Sequence, residues 1–263
     1  MVTITKDLQA LREAVEELTG ERPAVERLSA CIYLLPVLPG RLSIIYYMAG
    51  ASKPIQARKT EDLIHLDQDV WLKNAALVRN RLKVRIGRGD RLYARKGVIA
   101  RLDKKRAVEF QQEHHLQQAV AGKYRYGLFI DGELSALMVF SGGRLMRHTE
   151  EYRSFECLRF CSRKGTVVIG GFSRLMTFFI KEFGPDDIMT YVDKDWSDGA
   201  KFIQMGFAPA GETQPQRFWV NNITWLRISE KEYDKLPLSE QAYYYSVKNS
   251  GSLKMIKVLN PMN

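Results

Sequence analysis

Residues 6–18 read KDLQALREAVEEL, with Leu8, Leu11, Val15 and Leu18 at helical steps and Gly20 closing the run. That spacing puts the apolar side chains on one face and predicts a helix. The apolar stretch ACIYLLPVLPGRLSIIYYMAG is broken by Pro36, Pro39, Gly40 and Arg41. A bilayer span needs about 20 unbroken apolar residues, so this stretch predicts a strand, a turn and a second strand. A polar connector, GASKPIQARKTED, leads to a second predicted helix, DQDVWLKNAALVRNRL.

From Tyr93 the rhythm becomes regular. ARKGVIARLD alternates as a strand does, and KKRAVEFQQEHHL is helical, with Ala107, Phe110 and His114 on one face. RYGLFID and ELSALMVFS are two strands joined at Asp131-Gly132, a hairpin signal. SFECLRFCS predicts a further strand. After RKGTVVIGG, the run FSRLMTFFIKEFG predicts a helix ending at Gly184-Pro185. DIMTYVDK predicts a strand, SDGAKFIQMG a helix, and RFWVNNITWLRI a late strand. The chain divides into an N-terminal module (1–92), a central domain (93–228) and a C-terminal tail packing on it (229–263).

Charge changes this picture in one place. Of a formal net charge of +10, a large share gathers between Arg79 and Arg106, where twelve Lys or Arg face two acids, Asp90 and Asp103. Such a run, with Arg81, Arg85, Arg88, Arg95 and Lys96 at its centre, suits phosphate backbones; a solvated face is the competing reading. Cys31, Cys157 and Cys161 have no zinc spacing, and no metal site is expected. No secretory signal opens the chain, so reduced core thiols in a cytoplasmic protein are expected.

Two stretches, LRFCSRKGTVVIGGFSRLMTFFI and YVDKDWSDGAKFIQMGF, carry a resemblance to the GNAT acyltransferase superfamily from about Tyr93 to Ile228. More narrowly, HHLQ, YRYGLFIDGEL, LRFCS, VIGGFSRLM and YVDKDWSDG…GF, in that order, resemble two phage-associated branches, the Mom-type DNA adenine-modifying proteins and the GNAT-like domain attached to some phage endonucleases. The resemblance implies an α/β (α+β) fold, a mixed, largely antiparallel sheet flanked by helices, with an N-terminal extension. It also implies acetyl-CoA or another acyl-CoA as cofactor and transfer to an amine, which the Mom-type branch would place on a nucleic-acid base.

The candidate chemistry starts at VIGGFSRLM. A helix N-terminus presents unpaired N–H groups and partial positive charge to a phosphate. Gly170 and Gly171 allow close approach, Ser173 adds a hydroxyl, and Arg174, Arg163 and Lys164 offer charge. Val167 departs from the family pattern, which has Gln or Arg three residues before the first glycine. Close helix–strand packing is the other use for the glycine pair.

In YVDKDWSDGAKFIQMGF, Asp193 closes a strand at the edge where open α/β sheets place their chemistry. Asp195 and Asp198 are expected to cap the following helix. Asp193 lies before the cap, has no such need, and is expected to accept a proton or bond an exocyclic amine; a buried Asp–Arg pair is the alternative. His115 is a candidate for proton transfer because His114 fits the apolar face. Glu156, alternating with Leu158 and Phe160, is a second carboxylate candidate. The resemblance implies Tyr191 as the acid for the departing thiolate. Three functions compete: acyl transfer to an amine on a nucleic acid, small molecule or protein; nucleic-acid binding on a degenerate GNAT scaffold; and a nuclease, which lacks a second strand carboxylate at metal spacing.

Overall fold

The helix α1 (Lys6–Thr19) buries Leu8, Leu11, Ala14 and Val15, the face their spacing predicts, and stops where Gly20 turns left-handed at φ 85°. A computed structural model describes residues 4–51, 62–145 and 151–260. After α1 come β1 (Glu26–Ser29), β2 (Ile32–Leu38), β3 (Leu42–Tyr47), β4 (Asp62–Asp67) and α2 (Gln68–Arg85). Next are β5 (Asp90–Tyr93), a 3-10 turn at Ala94–Lys96, β6 (Val98–Arg101), α3 (Lys104–His114), β7 (Tyr124–Ile130) and β8 (Glu133–Phe140). β9 (Arg144–Leu145), β10 (Arg153–Ser162), β11 (Thr166–Ile169), α4 (Gly171–Phe183), β12 (Asp187–Asp193), α5 (Ala200–Gln204) and β13 (Ala208–Glu212) follow. The chain continues with β14 (Arg217–Asn221), β15 (Arg227–Ser229), α6 (Glu230–Tyr233), α7 (Leu238–Gln241), β16 (Tyr244–Lys248) and β17 (Ser252–Val258).

Two units divide these elements: residues 1–79, 192–199 and 212–253 in one, and 80–191, 200–211 and 254–263 in the other. The chain passes between them repeatedly, so packing does not follow the linear boundaries at 92 and 228.

In the first unit, β1-β2-β3-β4 form one sheet. The β2–β3 hairpin turns where the prolines predicted it, with Arg41 N–H donating to Leu38 O at 2.9 Å. β4 joins β3 in parallel and was not expected; it follows the polar connector of 50–62, of which 52–61 fall outside the described residues. α2 contains a break at Asn74, whose φ of −130° leaves helical geometry. The late stretch predicted as one strand is a hairpin, β14–β15, because the Asn221 carboxamide oxygen accepts the N–H groups of Ile223 and Thr224 and folds the chain back. β16 completes this second sheet, in the order β15-β14-β16. Beneath it lies a buried ion cluster. Arg227 donates to Asp69 at 2.5 and 2.8 Å and to Asp67 at 2.6 Å.

The second unit is built on a mixed sheet in the order β13-β17-β12-β10-β8-β7-β6, with β9 paired to β10. The pairs from β6 to β10 are antiparallel and β10–β12 is parallel. This is the mixed, largely antiparallel sheet flanked by helices that the family likeness implied. α3 covers one face, packing Ala107 and Phe110 against Leu137, Val139 and Cys161. α4 covers the other, where Phe179 stacks on Phe140 with ring centroids 3.6 Å apart and meets Phe155 edge-on. The β7–β8 turn has both Asp131 (φ 52°) and Gly132 (φ 80°) left-handed, as a two-residue primed turn requires.

β10 carries a bulge at Cys157–Arg159. Before it, Phe155 faces α4; after it, Phe160 faces α4 through Phe172, while Leu158 and Cys161 face the α3 side. One extra residue breaks simple alternation, so Glu156, Leu158 and Phe160 do not share a face as expected. Among the described residues no helix is long and apolar enough to cross a membrane, and no cluster of His, Cys, Asp or Glu could hold a metal ion. Cys157 and Cys161 are buried thiols, pushed up to about 12 by burial.

Candidate active site

α4 enters through Gly170, which caps the helix at φ 75° with no side-chain capping bond. A left-handed N-cap costs least at glycine. At Gly171 any Cβ would lie 2.9 Å from Val168 Cγ1, and Gly171 is buried and does not line the trough beside the helix, so the second glycine serves close packing. The N–H groups of the first turn point out from α4 with no side-chain cap, the arrangement that attracts phosphate oxygens.

Beside this turn runs an open trough of about 930 Å³ between α4 and the β5–β6 segment. Gly170, Ser173, Arg174, Thr177, Phe178 and Lys181 line it from α4. Arg174 is fixed across it, its guanidinium donating to Ala94 O and, at 2.7 Å, to Gly97 O. Its charge faces the trough, yet its donors also hold the 94–97 turn. Arg163 and Lys164 stand at the start of β11, a whole strand before Gly170, and do not line the trough. There Lys164 pairs with Glu113 at 3.2 Å and Arg163 reaches Ser135. The intervening strand β11, paired in parallel with β5, separates them from α4. Of the basic run, Arg95 lines the trough; Lys96, Arg81, Arg85 and Arg88 do not. Thr177 and Lys181 escaped the sequence reading, although their four-residue steps from Ser173 mark a single helix face.

The second feature is the parting of β10 from β12. Their ladder runs from Ser154–Asp187 to Glu156–Met189 and ends there, with Thr190 Oγ1 donating to Cys157 O at 2.9 Å. The bulge follows at once and turns β10 away. Because Glu156 is laddered to Met189, it shares a sheet face with Met189 and with Tyr191 two residues on. Glu156 is half-buried and makes no side-chain hydrogen bond or ion pair among the described residues; Tyr191 is exposed. Phe160, beyond the bulge, packs on Phe172 in the first turn of α4 at 5.3 Å, so the uncapped N-terminus sits over the freed part of β10.

Asp193 ends β12, as expected, and belongs with the first unit. Its carboxylate has a structural use that the sequence reading denied it: Oδ1 accepts the Asp195 N–H at 2.9 Å, and its carbonyl accepts from Ser197. This is an Asx-turn. Asp195 is no helix cap, since α5 starts only at Ala200. It is buried and accepts from the Ser250 hydroxyl at 2.6 Å.

His115 caps the C-terminus of α3, and its Nδ1 accepts the Gln117 N–H at 3.1 Å. Burial, reinforced by the Arg159 and Arg81 guanidiniums, pushes its imidazole down to about 3. A group that refuses a proton until then is poorly matched to general-base work at neutral pH. His114 packs edge-on to Phe110 at 4.3 Å and is also lowered by burial. The unfolded His115 imidazole takes a proton near 6.5, whereas the folded one waits until about 3. The unfolded state therefore binds more protons across that window and stability falls as pH drops, by about 2 kcal/mol at pH 5. His115→Gln should flatten the fall in Tm between roughly pH 7 and 5, His114 keeping its share in both proteins. An unchanged slope would show that His115 is not the source.

No protein-family model and no curated protein matches the chain. Among solved structures it overlaps the ribosomal-protein-S18-alanine N-acetyltransferase of Escherichia coli at 12% identity and TM-score 0.40, covering 64% of this chain and 96% of that one. A Bacillus subtilis acetyltransferase in complex with CoA overlaps at 11% and 0.40, covering 62% and 99%. A GNAT family acetyltransferase from Elizabethkingia anophelis with acetyl-CoA bound overlaps at 10% and 0.34, covering 62% and 99%.

Proposed function

We propose that this chain is a GNAT-like N-acyltransferase that uses acetyl-CoA or another acyl-CoA and acts on an amine of a nucleic-acid base. The observation that carries this reading is the placement of an uncapped, glycine-entered helix N-terminus over the freed part of β10. The first turn of α4 would hold the cofactor's phosphates through backbone N–H groups and Ser173. When bound, acyl-CoA supplies an activated acyl group as a thioester.

The chain's own groups supply the rest. Glu156 Oε takes the proton of the incoming amine, and the Tyr191 hydroxyl holds a proton on the same sheet face for the departing thiolate. Past the bulge β10 stays laddered to β8 but is beyond the reach of the β12 ladder, and its backbone N–H groups that point away from β8 suit a carbonyl oxygen gaining charge. Asp193 then serves the turn rather than the proton. The nucleic-acid acceptor rests on the basic run from Arg79 to Arg106 and on the likeness to Mom-type proteins. Release of free CoA thiol from acetyl-CoA, dependent on added oligonucleotide and absent with the protein alone, tests the reading. Release with small or protein amines only would move the acceptor; release with none would remove the activity.

A further inference from the structure

The trough beside α4 has a composition that anion contact alone does not explain. Every polar side chain lining it is a hydrogen-bond donor: the hydroxyls of Tyr93, Ser173 and Thr177 and the cations Arg95, Arg174 and Lys181. Among the described residues no carboxylate lines it. Ser173, Thr177 and Lys181 follow one another at four-residue steps, so they form a rail about 12 Å long on α4. The lining also leaves apolar surface open, with Tyr93 41%, Ile169 40% and Val98 69% exposed. Arg95 lies over the Tyr93 ring at 5.5 Å, and Arg174 is locked to two carbonyls, so two of the charges are held before any ligand arrives.

We propose that this trough binds a single strand of nucleic acid, with phosphates on Thr177, Lys181 and the two arginines, beyond the Ser173 turn that the transferase reading keeps for the cofactor, and a base on the Tyr93 ring. Charge complementarity selects a polyanion. The exposed apolar surface selects unpaired bases, because a duplex turns sugar and phosphate outward and would leave Val98 and Ile169 in water. An aromatic platform inside a cationic groove is how strands are held without sequence preference. The inference goes beyond the transferase reading, since a strand would bind here with or without acyl transfer.

Fluorescence anisotropy of a labelled oligothymidylate with the full chain tests it, with a matched duplex as comparison. Arg95 and Lys181 are exposed, so Arg95→Glu with Lys181→Glu should fold normally. This pair should weaken strand binding more than tenfold and lower the slope of log affinity against log salt by about 1.4, two phosphate contacts being lost. Tyr93→Ala should weaken binding by about 5- to 150-fold with the slope unchanged, and Tyr93→Phe should restore it. Wild type binding the duplex as tightly as the strand, or binding neither, would overturn the proposal. So would undiminished strand binding by the Arg95–Lys181 pair. If acetyl-CoA displaces the strand and Lys181→Glu weakens both ligands equally, the trough belongs to the cofactor and the proposal fails while the transferase reading stands.

Discussion

Glu156→Gln is expected to lower kcat for thiol release by about 10²- to 10⁴-fold, the range for losing a positioned proton acceptor. The substitution keeps the size and polarity of a half-buried side chain that bonds nothing else among the described residues, so Tm should hardly move. Asp193→Asn makes the contrast sharp. Asparagine closes an Asx-turn as aspartate does, so the Asp195 N–H keeps its acceptor and both fold and turnover should persist. Thiol release and thermal melts on the two variants separate the carboxylates. A dead Asp193→Asn beside an active Glu156→Gln would return the chemistry to Asp193.

The second large effect is on stability. Arg227→Met should destabilise the first unit by about 3–5 kcal/mol, because it leaves Asp67 and Asp69 buried without their cation. Burial costs the guanidinium, and the two aspartates more than repay it, so Arg227 stays protonated at any working pH. Denaturant unfolding measures the loss. Exchange protection should drop in β14–β16 while β7 and β8 of the second unit keep theirs. A loss under about 1 kcal/mol would mean that water takes over the carboxylates.

Local chemistry explains which parts of this structure the sequence exposes. The Asp131-Gly132 turn, the glycines bounding α4 and the amphipathic face of α1 are set by residues within a few positions of one another, and all three can be read from the chain. The bulge in β10 is different. No residue in FECLRF announces it, yet it decides that Phe155 and Phe160 face one helix while Leu158 and Cys161 face the other. The parallel pairing of β11 with β5 joins residues some 75 positions apart, and it is what removes Arg163 and Lys164 from the start of α4. Arg227 meets Asp67 and Asp69 across a separation of about 160 residues, for which sequence spacing holds no signal. Asp193 is a nearer miss. An aspartate followed by Lys194 and Asp195 at a strand end is an Asx-turn pattern, which the cap-like spacing of Asp195 and Asp198 masks.

On the proposed reading, the first turn of α4 holds the phosphates of acyl-CoA. Calorimetric titration of acetyl-CoA into wild type and Ser173→Glu tests it most directly. Ser173 is an exposed first-turn position where a carboxylate favours the helix, whereas a side chain at Gly171 would collide with Val168 and confuse binding with folding. Wild type should bind saturably and Ser173→Glu with a Kd at least about tenfold weaker, the free variant melting no lower than wild type. Equal affinities for the two proteins, or no heat of binding from wild type, would contradict the reading.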